Sequence, residues 1–372
     1  MVRELREQDV QCSIAQAASV IGDWWSLLIV REVTRGHRRF DDLLRELGIS
    51  RKVLTERLKH LVEHGVLRRD AYQSRPVRHE YLLTETGWAL APTLVSMQDW
   101  ADRWLLGDGS ATGMPRAEGT EVARVHALLG TTLPSPLLLP ATLTSATTGP
   151  PPPATPDTPS PTTCTAGPPT PQSTTPPATL DTTQPATLDT APRPTLDTAP
   201  PAALGATPSA TLGATQPATL DTAPPLHLDV VADARATILF TYPSTGPATS
   251  LPPDWDQVPG ASGCTLENRL FRGRHPDLTA AGITVHGIST QRPDQQAAFA
   301  AAESIPFPLL SDVDLRLTAA LRLPTFRAGQ DLKLKRLILV IDRARTIRHV
   351  VFPVLDIPAA ITEATEAAHT LR

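Results

Sequence analysis

The chain has 372 residues, of which 39 are proline, and its formal net charge is −4. Its length suggests two domains, but 25 of the prolines fall between residues 111 and 225, a stretch that contains no Phe, Tyr or Trp. Such a stretch cannot bury enough apolar surface to offset the entropy of ordering, so we predict disorder there rather than a globular domain.

Three cysteines are present, Cys12, Cys164 and Cys264, and no two of them are close in sequence. This spacing excludes a disulfide-stapled scaffold, a Cys-x-x-Cys redox motif and a zinc knuckle, and we expect no metal and no cofactor. No apolar run reaches the length of a transmembrane helix, and the N-terminus lacks the apolar core of a signal peptide. We therefore expect a cytoplasmic protein with free thiols and no membrane partner.

The N-terminal part of the chain alternates helical patterns with turn residues. The predicted helices cover 12–35, 40–47, 51–64 and 84–106, and the predicted strands cover 66–72 and 80–83. Gly36 ends the first helix, Gly48 lies in the turn, and Ser50 and Thr84 cap the helices that follow them. Helix, helix, turn, helix and hairpin in this order predict an α+β winged helix-turn-helix domain over residues 1–108.

The charge of this segment favours DNA as its ligand. Between Arg31 and Arg78 there are 13 Lys and Arg against seven Asp and Glu, which supplies the positive field that phosphate contacts need. A merely solvated helix face is the alternative, but the complete winged helix order favours binding to a double-stranded DNA operator. The candidate DNA-binding residues are Arg38, Ser50, Arg51, Lys52, Thr55, Arg57, Lys59, Arg75 and Arg78.

Residues 10–105 resemble the HxlR family of winged-helix transcriptional regulators. The motifs that carry the resemblance are Cys12-Ser-Ile-Ala, Ile21-Gly-Asp-x-Trp25-Ser-Leu-Leu-Ile29, Gly36-x-x-Arg-Phe40, Ile49-Ser-x-x-Val53-Leu-Thr-x-Arg57-Leu58 and Glu80-Tyr-x-Leu-Thr84. The resemblance implies a homodimer that is held by the first and last helices and binds a two-fold operator. It also makes Cys12 a candidate redox sensor, since several family members carry such a cysteine there, although a buried hydrophobic role is equally compatible with the sequence.

The middle segment is expected to be a Pro/Ala/Thr-rich linker over 109–225. Within it, a leucine recurs every eight residues from Leu180 to Leu228, mostly in the unit Pro-Ala-Thr-Leu-Asp-Thr-Ala-Pro. This period fits neither a heptad seam nor a solenoid repeat, and its prolines favour an extended chain. We favour a passive linker over a docking array, because no pocket-sized anchor residue is present.

Residues 226–372 show a β-α-β pattern followed by a hairpin and a helix, which predicts an α/β thioredoxin-like fold. The predicted strands cover 237–242, 283–288, 337–341 and 349–352, and the predicted helices cover 264–280, 294–303 and 357–371. Cys264 stands at the start of the first of these helices, directly after a strand and a loop. Backbone N–H groups and the helix dipole favour a thiolate at such a position.

This part resembles the peroxiredoxins, in particular the bacterioferritin-comigratory or Q type. The motifs that carry the resemblance are Tyr242-Pro243, Pro259-Gly-Ala-Ser-Gly-Cys264-Thr265, Gly287-Ile-Ser-Thr-Gln291, Phe307-Pro-Leu-Leu-Ser-Asp312 and Lys335-Arg-Leu-Ile-Leu-Val-Ile-Asp342. The resemblance implies that Cys264 attacks a peroxide and becomes a sulfenic acid. Arg336 then acidifies the thiol and binds the peroxide, and Pro243 is the candidate for the proline of the family motif.

Three departures from the family pattern bear on activity. Gln257 and Ala261 stand where the family has Pro and Thr, so Pro243 supplies the proline only if 244–258 is an insertion. Arg269 stands where a resolving cysteine is often found, which leaves a one-cysteine enzyme that needs an external thiol reductant. The strands before Thr237 are short.

The sequence therefore predicts a DNA-binding transcriptional regulator with a peroxiredoxin-like domain that makes it redox-responsive. A mixed disulfide between Cys264 and Cys12 is one route by which oxidation would change operator affinity. Two alternatives remain: a thiol peroxidase whose DNA-binding half is incidental, and a plain repressor whose redoxin domain has lost its chemistry.

Overall fold

The computed structural model describes residues 10–105, 120–142, 226–246, 255 and 261–371. The chain divides into two units, of which residues 1–147 and 223–372 form the first and residues 148–222 form the second. All described residues belong to the first unit, and the repeats before residue 226 and Cys164 lie outside the described residues. No single described helix is long and apolar enough to cross a membrane. The first two helices pass that test only as a pair that is bent by 75°.

Four helices open the N-terminal domain. They are α1 (Ser13–Ile21), α2 (Trp24–Thr34), α3 (Phe40–Leu47) and α4 (Arg51–Glu63). The single helix that the sequence predicts over 12–35 is wrong, because Gly22 and Asp23 break it. The Asp23 carboxylate accepts hydrogen bonds from the N–H groups of Trp25 and Ser26 and so begins a new helix.

The wing is an antiparallel pair, β1 (Leu67–Ser74) and β2 (Val77–Leu83). A short helix α5 (Glu85–Trp88) follows, with Thr84 as its N-cap, and then the longer α6 (Ala91–Trp104). The predicted last helix is therefore two helices. The buried face of the domain is a leucine-rich core to which α2, α3, α4 and β1 contribute, including Ile29, Leu43, Leu54, Leu58 and Leu61.

The C-terminal domain is built on a seven-stranded sheet in the order β11-β10-β5-β6-β7-β3-β4. Its strands are β3 (Leu138–Thr142), β4 (Leu226–Asp229), β5 (Ala236–Thr241), β6 (Ile283–Ser289), β7 (Leu309–Ser311), β10 (Leu337–Asp342) and β11 (Ile347–Val351). The three central strands β5, β6 and β7 are parallel, and every other pair is antiparallel. A separate hairpin consists of β8 (Thr325–Ala328) and β9 (Asp331–Leu334).

Helices cover both faces of this sheet. They are α7 (Thr120–His126), α8 (Cys264–Ala280), α9 (Pro293–Glu303), α10 (Arg316–Leu321) and α11 (Ile357–Thr370). Alternate residues of β5 point to opposite faces, so Ile238 and Phe240 join the core under α8 and α11, whereas Leu239 joins the core that contains residues of α7 and α10.

The predicted linker starts too early, because residues 120–142 belong to the C-terminal domain. Strand β3 pairs with β4 and β7, and α7 contributes Val125 to the core. The dense apolar side chains around Leu137 and Leu139 are buried despite three neighbouring prolines. As a consequence, the repeat-containing segment is an insertion between two paired strands of the sheet, and residues 106–119 connect the two domains.

The two domains pack against each other through α10, which contacts α6 and α2. Ala319 of α10 forms a small buried cluster with Ala91 and Val95 of α6. Three ion pairs cross the same interface, and they join Arg316 to Glu85, Arg322 to Asp102 and Arg327 to Asp99.

Candidate functional site: a buried thiol and a DNA-facing helix

Cys264 is the first residue of α8, and the turn before it depends on a glycine. Gly263 has φ of 102°, in the left-handed region, and a Cβ at this position would lie 2.7 Å from Cδ1 of Ile357. Only glycine fits this turn without strain. The turn places the sulfur at the amino end of α8 and inside the fold, where Cys264 is 4% exposed.

The Arg336 side chain organises the site around the sulfur. Its Nη2 lies 3.2 Å from Sγ of Cys264 and also donates to the carbonyl oxygens of Ala261, at 3.1 Å, and Ser262, at 2.5 Å. Its Nη1 donates to Oε2 of Glu267 at 2.8 Å. One guanidinium therefore joins the thiol, the loop before it and the first turn of α8.

Burial and charge act on the thiol in opposite directions. Burial raises the pKa of the Cys264 thiol above its ordinary value, while Arg336 and the backbone N–H of Ser244 lower it. Burial is the larger effect in this closed arrangement, so the net shift is opposite in direction to the acidification that the resemblance implies. The thiol donates to the carbonyl oxygen of Ala261 at 3.4 Å.

Glu267 is a member of the site that the sequence analysis missed. It is completely buried, and burial raises the pKa of its carboxyl to about 7 against the opposing effect of Arg336. Its Oε1 finds no hydrogen-bond partner among the described residues. The available signal was its position three residues after Cys264, since residues at this helical spacing share a face.

The family departures have visible consequences. Pro243 is buried and directly precedes Ser244, whose backbone N–H lowers the pKa of the Cys264 thiol, so this segment lies near the thiol. Ala261 contributes a carbonyl oxygen but has no hydroxyl, and Gln257 lies outside the described residues. Arg269, at the position of a resolving cysteine, is paired with Glu303 at 2.7 Å.

A cavity of about 510 Å³ lies next to the first turn of α8. Its lining includes Thr245, the residue after Ser244, and Thr265, the residue after Cys264. Ala298, Phe299 and Ala302 of α9 also line it. Its walls are largely apolar, and it has room for a peroxide larger than hydrogen peroxide.

The predicted DNA-binding residues do not all lie on one free surface. Ser50 caps α4 by accepting a hydrogen bond from the N–H of Val53. Arg51, Lys52, Thr55 and Lys59 are exposed along α4, and Arg75 and Arg78 are exposed at the wing. These seven residues occupy the positions from which the helix and the wing of such a domain face outward.

Arg57 and Arg38 are exceptions. Arg57 was predicted on the solvent side of α4, but its side chain is only 13% exposed and its Nε lies 3.2 Å from the Asp23 carboxylate that caps α2. Arg38 donates to the carbonyl oxygen of Ser135 at 2.6 Å, in the loop before β3. Both arginines are held by contacts within the protein.

Cys12, the candidate redox sensor, is exposed at the N-cap of α1. It is therefore not the small buried hydrophobe that is the alternative for this position.

Comparison with known proteins fits this geometry. Residues 20–108 match the HxlR-like helix-turn-helix family. The chain is also 42% identical over 118 residues to the HTH-type transcriptional regulator Rv3095 of Mycobacterium tuberculosis, a match that covers 32% of this chain and 69% of that protein. The chain belongs to the HxlR-like helix-turn-helix family. A further similar protein of known structure is the transcriptional regulator YodB from B. subtilis in its reduced form, with 35% identity over 26% of this chain and 96% of that one, and a TM-score of 0.24.

This family member carries a second domain. Residues 258–350 match the AhpC/TSA family. The peroxidoxin BcpB from Mycobacterium tuberculosis is similar to the same part, with 25% identity over 40% of this chain and 88% of that one, and a TM-score of 0.33. The chain thus joins a helix-turn-helix regulator domain to a domain that matches the AhpC/TSA family.

Proposed function

We propose that this chain is a DNA-binding transcriptional regulator whose affinity for its operator depends on the oxidation state of Cys264. The hydrogen bond from Arg336 to Sγ of Cys264 carries the proposal, because it brings together the two groups that peroxide chemistry needs. The contacts between α10 and α6 support it further, since they join the domain that holds the thiol to the domain that matches the regulators.

The chemical step is a two-electron oxidation of sulfur. After the thiol loses its proton, the thiolate attacks one oxygen of a peroxide ROOH, an S–O bond forms, and the O–O bond breaks. The leaving alkoxide or hydroxide takes up a proton and departs as ROH, and Cys264 becomes a sulfenic acid. Arg336 stabilises the thiolate and the charge on the leaving oxygen. An external thiol returns the sulfenic acid to the thiol, with loss of water.

DNA binding uses the exposed face of α4 and the wing. Arg51, Lys52 and Lys59 are exposed, so they can reach phosphates and base edges in the major groove, and Arg75 and Arg78 can reach the backbone. The ion pairs of Arg51 with Asp41 and of Lys59 with Glu63 are exposed to solvent, whereas Arg57 is mostly buried in its pair with Asp23 and supports the helix instead.

A homodimer fits the apolar surface that α1, α2 and α6 leave exposed. Ile14, Trp24, Met97, Trp100 and Trp104 are each about half or more exposed, and a monomer seldom leaves so many large apolar side chains on neighbouring helices in water. A second copy of the chain is the occupant we propose, which places two copies of α4 on a two-fold operator.

DNA binding before and after oxidation tests the proposal. Duplex DNA selected by the reduced chain from a randomised library is titrated by fluorescence anisotropy, before and after one equivalent of hydrogen peroxide. We expect the affinity to change about tenfold, as is usual for allosteric coupling, and to remain constant in Cys264→Ser. Cys12→Ser separates the two routes: a response like that of the wild type assigns the change to Cys264 alone, and a lost response assigns it to the mixed disulfide with Cys12. Unchanged affinity, with mass spectrometry showing complete oxidation of Cys264, refutes the proposal.

Peroxide turnover is a second candidate function, favoured by the cavity of about 510 Å³ that Thr265, the residue after Cys264, helps to line. Steady consumption of an alkyl hydroperoxide with an external thiol as reductant, lost in Cys264→Ser, would assign enzymatic activity. A single stoichiometric oxidation without turnover would leave the sensor role alone.

A further inference from the structure

One short segment both organises the thiol site and holds the DNA-binding domain. We name residues 315–336 the docking segment; it comprises α10, the hairpin β8–β9 and the two basic residues that follow. At one end, Arg336 contacts the sulfur of Cys264. Over the rest of its length, Ala319, Arg322 and Arg327 contact α6 of the winged helix domain.

In strand β8, two adjacent residues contact the thiol loop and helix α6, respectively. Phe326 is completely buried in a cluster with Trp255 and with Ala261, whose carbonyl oxygen accepts from both the thiol and Arg336. The next residue, Arg327, points to the other side of the strand, as successive side chains do. There its Nε lies 2.9 Å from the Asp99 carboxylate of α6. The residue that packs near the thiol loop, Phe326, and the residue that pairs with α6, Arg327, are therefore adjacent in the chain.

The pair between Arg327 and Asp99 lies in the protected part of this interface, as does the pair between Arg322 and Asp102. The side chain of Asp99 is only 4% exposed. Glu85, which pairs with Arg316, is almost fully exposed, and such surface pairs contribute little. Weakening an ion pair of a buried carboxylate is costly. The position of Asp99 is therefore sensitive to the position of β8.

Helix α6 has a second face that points away from the docking segment. Ala91, Val95 and Asp99 follow one another at intervals of four residues and face the redoxin domain. Met97, Trp100 and Trp104 lie on a different stripe of the helix and are exposed. The same helix thus connects the redoxin domain to the surface that we assign to the second copy of the chain.

From this arrangement we propose that β8 transmits the oxidation of Cys264 to α6. The inference rests on the redox-responsive function proposed above. Oxidation by a peroxide adds one oxygen to the sulfur and releases ROH. The sulfur lies in a closed site, next to the guanidinium of Arg336 and the carbonyl of Ala261. Protein interiors accommodate an extra atom only by shifting their neighbours. The Ala261 loop moves, Phe326 loses its packing, and Arg327 no longer holds Asp99 in place.

Hydrogen exchange measured by mass spectrometry tests the relay without DNA. In the full chain, we expect treatment with hydrogen peroxide to increase amide exchange in residues 91–104 and 315–334. The Cys264→Ser variant should show no such increase, and helix α3, which packs on α2 and β2, serves as an internal reference. Faster exchange around Cys264 with unchanged exchange in α6 overturns the relay, whether or not DNA affinity responds to peroxide.

Variants of the ion pair provide the second test. Arg327→Gln should retain peroxide oxidation of Cys264 and DNA binding in the reduced state, but its affinity should change by less than about twofold on oxidation, against about tenfold in the wild type. The matched control is Arg343→Gln, which removes an exposed pair with Asp233 on the same domain and should respond like the wild type.

If Arg327→Gln alters the fold, a variant in which the two charged residues are exchanged provides an independent test. The double variant Asp99→Arg with Arg327→Asp should restore part of the peroxide response. A full response in Arg327→Gln refutes the relay and leaves the proposed function intact. If the wild type itself binds DNA equally well before and after oxidation, the proposed function fails, and the exchange measurement still decides the relay.

Discussion

The guanidinium of Arg336 lies 3.2 Å from the sulfur of Cys264, although four strands, β6 to β9, and the helices α9 and α10 lie between the two residues along the chain. The contact forms because β10 pairs directly with β5 in the sheet, so the residue just before β10 lies close to the loop that follows β5. Sheet topology, rather than sequence proximity, assembles the candidate reaction centre.

Removing this guanidinium should slow the oxidation of the thiol. We expect Arg336→Met to reduce the rate of sulfenic acid formation at Cys264 by about a hundredfold, the usual effect of losing one donor to a developing anion. Dimedone labelling followed by mass spectrometry measures the rate. Arg269→Gln is the control, since Arg269 lies on the surface of α8 and pairs with Glu303. An unchanged rate in Arg336→Met would show that the arginine is structural only.

The Glu267 carboxyl should make the folded state less stable as the pH rises. Its pKa is raised to about 7 in the fold, from 4.5 in an unfolded chain. As the pH rises, the unfolded chain therefore loses this proton before the folded state does. The free energy of unfolding that the group contributes at low pH is lost as the pH rises from about 4.5 to about 7. Thermal unfolding at intervals between pH 4 and 8 should show a smaller decline in Glu267→Gln than in the wild type.

Glu303 provides the control for this measurement. Arg269 lowers the pKa of the Glu303 carboxyl, so its contribution is lost only as the pH falls below the ordinary range of a glutamate. Glu303→Gln should leave the decline between pH 5 and 8 unchanged. An equal decline in Glu267→Gln and the wild type would contradict the raised pKa.

Gly263 should tolerate no side chain. Gly263→Ala forces a Cβ to within 2.7 Å of Ile357 at a φ of 102°, and we expect a loss of about 1–3 kcal/mol in the free energy of unfolding. Urea titration followed by circular dichroism measures it. Gly273→Ala, in the interior of the same helix α8 with nothing within 4 Å of the added Cβ, should be neutral or stabilising by up to about 1 kcal/mol. Similar effects of both changes would rule out strain at position 263.

Two basic residues on α4 should behave differently when they are removed. Lys52 is exposed, so Lys52→Ala should weaken DNA binding and reduce the salt dependence by about one counterion, without changing stability. Arg57 supports the cap of α2 through Asp23, so Arg57→Ala should lower the melting temperature of the protein. Binding titrations at several salt concentrations, together with thermal unfolding, separate the two. A normal melting temperature in Arg57→Ala would return Arg57 to the DNA-facing set.

The winged helix could be predicted from the sequence because its signals are local. Apolar residues at helical spacing, the turn at Gly48 and the cap at Ser50 lie within a few residues of the elements that they define. The thiol and its arginine were found through family motifs, since nothing local connects residues 264 and 336. Glu267 was missed because an acidic residue in a helix is usually exposed, and only tertiary packing buries this one.

The errors have physical causes of the same kind. The break between α1 and α2 depends on the Asp23 cap, whose effect outweighs the continuous apolar pattern around it. Strand β3 was missed because its proline-rich composition resembles the repeats, while its pairing partners β4 and β7 lie far along the chain. Arg57 looked free because a helical wheel does not reveal an internal partner, and Arg38 because its partner, the Ser135 carbonyl, lies 97 residues along the chain.

The pairing of Ala141 with Leu226 brings together, at one edge of the sheet, the two points between which the repeat-containing segment is inserted. Gains or losses of whole octapeptide copies therefore alter neither the spacing of the two domains nor the contact between β8 and α6. Closing a longer loop costs only about 0.6 kcal/mol for each doubling of its length. The number of repeats can thus change between related genes by replication slippage without altering the winged helix domain or the redoxin domain.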